Sequence, residues 1–283
     1  MPAPLVGSRY ELHVARSGAA ENKVAKSYHD VYQTDAEEAG DALAGYVHSI
    51  EVGSTVDGPG IRFVLFLTGC PLRCQFCHNP DTWHKLNGRR YTIDRIMKEI
   101  GKYVKVLEIS RGGLTISGGE PVMQDAFTTE VFRRTKGLGM HTCLDTSGFL
   151  GSRLTDAALG DIDLQLLDIK SGDPETYERV TGYPLEPTLV YARRLSDLGR
   201  PIWVRFVLVP GLTDDYDNVE KVADICAGLK SLDRVEVLRF HQMGLEKYRK
   251  LKIPYPLEHT VPPTPEPAER VRGQFRTRGL TVF

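Results

Sequence analysis

The chain has 283 residues, 41% hydrophobic and 26% charged, which is enough apolar material for one sizeable core. Its 36 Lys and Arg against 37 Asp and Glu leave a formal net charge of −1, so no polybasic field argues for nucleic acid or an anionic membrane. No apolar run approaches the roughly 20 residues that span a bilayer, and the N-terminal MPAPLVGSRYELHVARSG lacks the apolar centre of a signal peptide.

Residues 1–45 are rich in Ala, Gly, Ser and charge and show little periodicity, so they are expected to form a poorly ordered, mobile extension. A single domain is expected over 46–283. It opens with YVHSIEV, which alternates like an edge strand, and the glycine-rich turn STVDGPG follows. IRFVLFLT is a near-continuous apolar run bounded by turn residues, the pattern of a strand buried on both faces. Ile93, Ile96, Met97 and Ile100 then recur at helical spacing behind Thr92, a candidate N-cap.

The strand-then-helix pattern repeats. LTIS ends in SGGEP before a helix over Ala126–Lys136, and HTCLDT precedes a weaker helix near Leu154–Leu159. LQLLDIK leads into helices around Glu175–Val180 and Thr188–Leu198, and PIWVRFVLVPG precedes a helix over Val219–Leu229. RVEVLRF is followed by a proline-rich link, Pro254–Pro267, a helix over Ala268–Arg278 and the closing GLTVF. About six strand–helix units imply parallel strands with right-handed crossovers. A full eightfold barrel usually needs about 250 residues, so the expectation is α/β, an incomplete (β/α)6 TIM-like barrel.

Between the first strand and the first helix lies TGCPLRCQFCHNPDTW, where Cys70, Cys74 and Cys77 are spaced C-x3-C-x2-C. Three thiols this close cannot all pair with one another, but they can converge on one metal centre. Zinc completed by His78 or a distant ligand is one outcome. An iron–sulfur cube held at three of its four irons, with one iron open, is the other. The odd total of five cysteines, three of them clustered, points to a reduced, cytoplasmic protein. Cys143, in an apolar strand, and Cys226, on a helix face, read as buried inert thiols. Every further polar motif ends or follows a strand, and in parallel α/β folds those strand ends form one active-site face.

CPLRCQFCHN after a strand, TVDGPGIR ahead of it and TISGGEP behind it, continued by HTCLDTSG, LLDIK, VRFVLVPG and RFHQMG, resembles the radical S-adenosylmethionine superfamily, and within it the glycyl-radical-enzyme activases. The resemblance covers nearly everything from Tyr46 to Phe283. It implies a 4Fe–4S cluster on Cys70, Cys74 and Cys77, with S-adenosylmethionine chelating the fourth iron. An electron from reduced flavodoxin or ferredoxin would cleave that molecule to methionine and a 5′-deoxyadenosyl radical, which abstracts hydrogen from a glycine of a partner enzyme.

The resemblance also assigns residues. Phe76, His78 and His241 lie toward the adenine and nucleoside, and Gly118, Gly119 and Glu120 toward the methionine amino group. Asp168, Ile169, Lys170 and Arg205 are assigned to the carboxylate side. Asp145, Thr146, Asp168 and the backbone of Leu166 would hold a monovalent cation, since hard cations prefer oxygen ligands. Asp57 would dock the glycyl-bearing protein. No cysteine lies between Asn79 and Leu114, where other activases carry a ferredoxin-like insert. That favours the single-cluster type, whose partner is pyruvate formate-lyase, acting as a monomer. The alternatives are an activase for a different glycyl-radical enzyme, or a non-catalytic iron–sulfur or zinc-binding regulator.

Overall fold

The structure, a computed structural model, describes residues 43–283. The mobile-extension expectation for 1–45 therefore lies, except for its last three residues, outside the described residues. One eight-stranded sheet runs in the order β3-β1-β2-β4-β5-β6-β7-β8. Strands β1 (Ala44–Ser54) and β3 (Arg89–Thr92) are antiparallel additions at one edge. The other six are parallel: β2 (Arg62–Leu67), β4 (Gly113–Gly118), β5 (His141–Thr146), β6 (Leu164–Asp168), β7 (Ile202–Leu208) and β8 (Leu232–Arg239). These are the six units that the apolar runs foretell, and β2 is buried along nearly its whole length, as expected of a strand covered on both faces.

The helices follow the periodicity. Helix α1 (Ile93–Gly101) starts where Thr92 accepts the Arg95 amide and buries Ile93, Ile96 and Ile100. The run to Val104 does not continue as one helix; a separate α2 (Val104–Ile109) follows a break at Lys102–Tyr103. Crossovers α3 (Asp125–Gly137), α4 (Asp156–Gly160), α5 (Pro174–Thr181), α6 (Glu186–Asp197) and α7 (Tyr216–Ala227) lie within a few residues of expectation. Two short elements were not foreseen, β3 and the helix α8 (Leu245–Leu251). The final helix is α9 (Pro265–Arg276). The C-terminal residues then run along β8: Val235 N–H donates to the Thr281 carbonyl and Val237 N–H to that of Phe283. The Arg234 guanidinium is sandwiched by Trp203 at 3.7 Å and Phe283 at 4.7 Å. The open edge of the partial barrel is thereby covered.

The core fills the space between the parallel sheet and its helices, with Leu65, Leu114, Ile116, Leu144, Leu167, Val204 and Phe206 fully buried. Cys226 belongs to it, and Cys143 sits in a smaller cluster with Leu164, Leu166 and Trp203, as expected of inert thiols. Among the described residues no helix is long and apolar enough to cross a membrane.

Candidate metal and cofactor site

The cysteine loop leaves the C-terminal end of β2 and is pinned at both ends. Gly69 N–H donates to the Thr82 carbonyl (2.6 Å) and Cys70 N–H to that of Trp83 (3.1 Å), which closes the loop on itself. Its middle is stitched to the end of α5: Arg73 N–H to Thr181 O and Gln75 N–H to Val180 O, each 2.9 Å. The Arg73 guanidinium folds back over the carbonyls of Cys70 and Leu72, both at 2.8 Å. The backbone around the three thiols is thus fixed without help from the sulfurs. Burial raises all three thiols, most simply seen at Cys74, which is pushed up to about 11 even though Lys170 pulls it down. Cys70 and Cys77 are raised for the same first reason, and Cys70 also feels the neighbouring Cys74. Each of the three holds its proton at neutral pH until a metal displaces it.

Gly118 and Gly119 end β4 against this loop. Gly118 has φ +118°, and a methyl on it would lie 2.3 Å from the Leu67 carbonyl oxygen. On Gly119 the methyl would lie 2.4 Å from the Gly69 carbonyl oxygen and 3.3 Å from Cys70 Cβ. The missing side chains therefore let β4 press on the cysteine loop, and the Glu120 amide donates to Gly69 O at 2.8 Å. The Glu120 carboxylate points inward. It accepts from Thr146 Oγ1 (2.7 Å), Ser147 N–H (3.0 Å), Ser147 Oγ and Val122 N–H (3.2 Å), so it shapes the turn after β5. Burial raises its pKa against those bonds.

The charges beyond the cysteines form one row set by parallel register, in which Asp168 of β6 faces Arg205 of β7 and Arg205 faces Glu236 of β8. Lys170 Nζ pairs with Asp168 at 2.8 Å and stands 5.5 Å over the buried Phe76 ring, so two residues that the resemblance assigns to different parts of one ligand lie side by side. Burial works against the Lys170 charge, but the paired and hydrogen-bonded Asp168 carboxylate offsets it and the ammonium persists. Ile169 lies between them, buried in the core.

Arg205 is more occupied than expected. Its guanidinium reaches Glu236 (3.2 Å), Asp145 (3.5 Å) and Asp57 (3.9 Å) and donates to the Val56 carbonyl at 2.5 Å. Burial opposes its charge, while these carboxylates and Asp168 hold it protonated. Arg205 therefore staples the β1–β2 turn to the strand ends. On the other side of that turn the fully buried Arg62 donates to Thr115 Oγ1 (2.9 Å) and Pro59 O (3.2 Å), and Thr115 Oγ1 donates to Asp57 O at 2.6 Å. Neither Arg62, Thr115 nor Glu236 carries a local sequence signal: Arg62 and Thr115 lie in largely apolar strands and Glu236 among the other charges of β8, where only register reveals which face each takes.

Asp145 accepts from Ser117 Oγ at 2.6 Å, and burial followed by its Asp168 and Asp57 neighbours raises it to about 6 in spite of Arg205. The Thr146 hydroxyl donates to Glu120 and accepts from Gly148 N–H, which leaves one lone pair. Leu166 is a buried strand residue paired with Asp145, so only its backbone is available to a ligand. His78 and His241 come together as a stacked pair, centroids 4.0 Å apart and planes at 24°, with His78 Nε2 at 3.2 Å from the His241 carbonyl. Burial and the neighbouring His241 depress His78 to about 4, so it is neutral at physiological pH. Thus the residues that the motifs single out gather along the C-terminal halves of the parallel strands and the loops that leave them, except Asp57, whose turn enters the N-terminal end of β2 and reaches Arg205 from there, and Glu120 supports the strand-end face from behind.

Residues 64–223 match the family described as the radical SAM superfamily, more than half of the chain. The chain belongs to the radical SAM superfamily. It is also 44% identical over 232 residues to the pyruvate formate-lyase-activating enzyme of Staphylococcus epidermidis, covering 79% of this chain and 92% of that one. The enzyme of the same name from Staphylococcus aureus is 43% identical over the same coverage. Solved structures share the fold at lower identity. One is Streptococcus suis SuiB bound to precursor peptide SuiA, with a TM-score of 0.58, 17% identity, and 80% of this chain and 48% of that chain covered. A domain of the Bacteroides vulgatus pyruvate-formate lyase-activating enzyme gives a TM-score of 0.50 at 22% identity, covering 61% of this chain and 98% of that one. The radical SAM fold accounts for the partial barrel and for the gathering of cysteines, glycines and charges at one edge.

Proposed function

We propose that this protein activates pyruvate formate-lyase by installing a glycyl radical on it, with a 4Fe–4S cluster on Cys70, Cys74 and Cys77 and S-adenosylmethionine against the neighbouring strand ends. The observation that carries this is the set of three half-buried thiols in one fixed loop, facing a row of strand-end charges, in a chain 44% identical to a protein of that name. The donor set fits the group: soft thiols suit iron–sulfur ligation, and three of them leave one iron open. When bound, the cluster and S-adenosylmethionine supply the reductive cleavage that yields methionine and the 5′-deoxyadenosyl radical that takes hydrogen from the partner glycine.

The chain's own residues bind, orient and shield. Phe76, capped by Lys170, gives an apolar face over which an adenine can lie, and the neutral His78–His241 stack extends it. Backbone carbonyls at Gly118–Gly119 are the acceptors offered to an amino group, and Lys170 offers charge to a carboxylate. Asp145, Asp168 and the Leu166 carbonyl, with the spare lone pair of Thr146, are a fitting oxygen set for a monovalent cation. Such an ion would offset the burial cost that raises Asp145. Asp57, held by Ser54 Oγ at 2.5 Å and by the Arg205 and Thr115 contacts to its turn, is the docking residue for the glycyl-bearing protein. A reduced flavodoxin or ferredoxin is the electron donor. A monomer in the reducing cytoplasm is the form that this chemistry suits.

The test is anaerobic iron and sulfide reconstitution, followed by S-adenosylmethionine, reductant and pyruvate formate-lyase, with EPR detection of the glycyl doublet. Cys74→Ala should abolish both the doublet and 5′-deoxyadenosine release. A doublet only on another glycyl-radical enzyme would overturn the partner. Bound zinc with no reducible cluster would overturn the enzyme.

A further inference from the structure

Helix α8 follows β8 and lands on the loop that follows β2, the two outermost strands of the parallel set. Gly244, just ahead of it, presses on the cysteine loop so closely that a methyl there would lie 3.0 Å from His78 Cα and 3.2 Å from the Cys77 carbonyl oxygen. Lys247 Nζ ties the helix down through Asn79 Oδ1 (2.7 Å) and Asp81 Oδ1 (3.1 Å). Its inner face is Tyr248, fully buried, edge-on to Trp83 at 5.9 Å and against Tyr255 at 4.6 Å. Tyr248 packs in one cluster with Phe76, Cys74 and Trp83. The rings of Tyr248, Trp83 and Tyr255 thus pack between the cysteine loop and the outer face of α8.

The outer face is basic. Residues 245–252, LEKYRKLK, carry four basic side chains and one acidic one in a chain of net charge −1. Arg249 is shared by Glu246 and Glu258, and Lys247 is engaged as above. Lys250 and Lys252 are exposed, and their side chains carry no hydrogen bond or ion pair to the described residues. Arg73, exposed on the cysteine loop, lies 4.9 Å over the Trp83 ring, and Met243 is 78% exposed at the head of the helix. An apolar side chain within a basic rim, over a thin wall to the site, is the surface that an acidic redox protein would complement. The charge steers and orients the encounter, and electron transfer weakens steeply with distance.

We propose that the exposed face of α8, with Met243 and Arg73 at its edges, is the docking surface for an acidic one-electron carrier protein that reduces the cluster site across the Trp83–Tyr248 wall. The step moves one electron: the carrier is oxidised by one, the cluster is reduced by one, and no bond or proton need move. This rests on the function proposed above. It separates the donor's face from the Val56–Asp57 turn assigned to the glycyl-bearing partner.

The experiment compares the full-length reconstituted protein with Lys250→Glu/Lys252→Asn; Asn is chosen because Lys252 has φ +56°, a region that Asn tolerates. A control, Lys98→Glu/Lys105→Gln, makes the same change in net charge on exposed residues of α1 and α2. Cluster reduction is followed in stopped flow with reduced flavodoxin at low salt and, separately, with dithionite. The α8 variant should slow reduction by flavodoxin about tenfold or more and flatten its salt dependence. The control, and every rate with dithionite, should stay at the wild-type value. Wild-type flavodoxin rates in the α8 variant, or equal loss in the control, would overturn the docking surface. A wild-type protein with no dithionite-reducible cluster would instead overturn the function on which it rests.

Discussion

Replacing Asp145 by Asn should make the cluster-free protein more stable, and only above a definite pH. Asp145 is a largely buried carboxylate, 18% exposed, whose value rises from the ordinary 3.8 to about 6, first because of burial and despite Arg205. Below pH 3.8 the folded and unfolded chains both carry the proton, and the group has no linkage effect. Between 3.8 and 6 the folded chain retains a proton that the unfolded chain has lost, so stability falls as pH rises. Above 6 the full cost is present: about 2 pH units at about 1.4 kcal/mol each, or about 3 kcal/mol. Asn mimics the protonated acid and can still accept from Ser117 Oγ. It should therefore recover up to about 3 kcal/mol at pH 8, equivalent to roughly 6–12 °C in Tm for a domain of this size, and almost nothing at pH 4. Urea unfolding of both proteins at pH 4, 6 and 8, with reductant and chelator present, measures this. A gain that is the same at all three pH values, or absent at pH 8, would refute the reasoning. If the cation proposed above binds at Asp145, the same variant should bind S-adenosylmethionine less well, because a neutral amide offers that ion no charge.

Gly119→Ala should cost about 1–3 kcal/mol by overpacking, because its methyl must push the Gly69 carbonyl and hence the bond that closes the cysteine loop. Iron content after reconstitution and Tm should both fall, and wild-type values for both would count against the close packing described. Cluster assembly near pH 7 should release about three protons per cluster, since burial holds Cys70, Cys74 and Cys77 protonated beforehand. A titration in weak buffer reads the number. One proton or none would mean that the thiols are already ionised.

The sequence by itself determined the six parallel units, because continuous apolar runs alternate with helical periodicity and each strand end is marked by a polar motif. It also determined the thiol loop, since three cysteines within eight residues must share one locality whatever the fold. Long-range register decided the rest. Arg205 reads as one cation in an apolar strand, and only the pairing of β7 with β6 and β8 sets it beside Asp168 and Glu236 and under the Val56 carbonyl. Arg62 looks like a strand-edge charge but is fully buried, holding the DGPG turn from beneath. Glu120 stands in the SGGE motif as if to meet a ligand, yet the turn after β5 takes up its carboxylate. Helix α8 leaves little local signal because it is seven residues long, has no side-chain cap and ends on a left-handed Lys252 rather than a glycine. Its place against Cys77 and His78 depends on how β8 and the loop after β2 meet in space, and no local pattern encodes that distance.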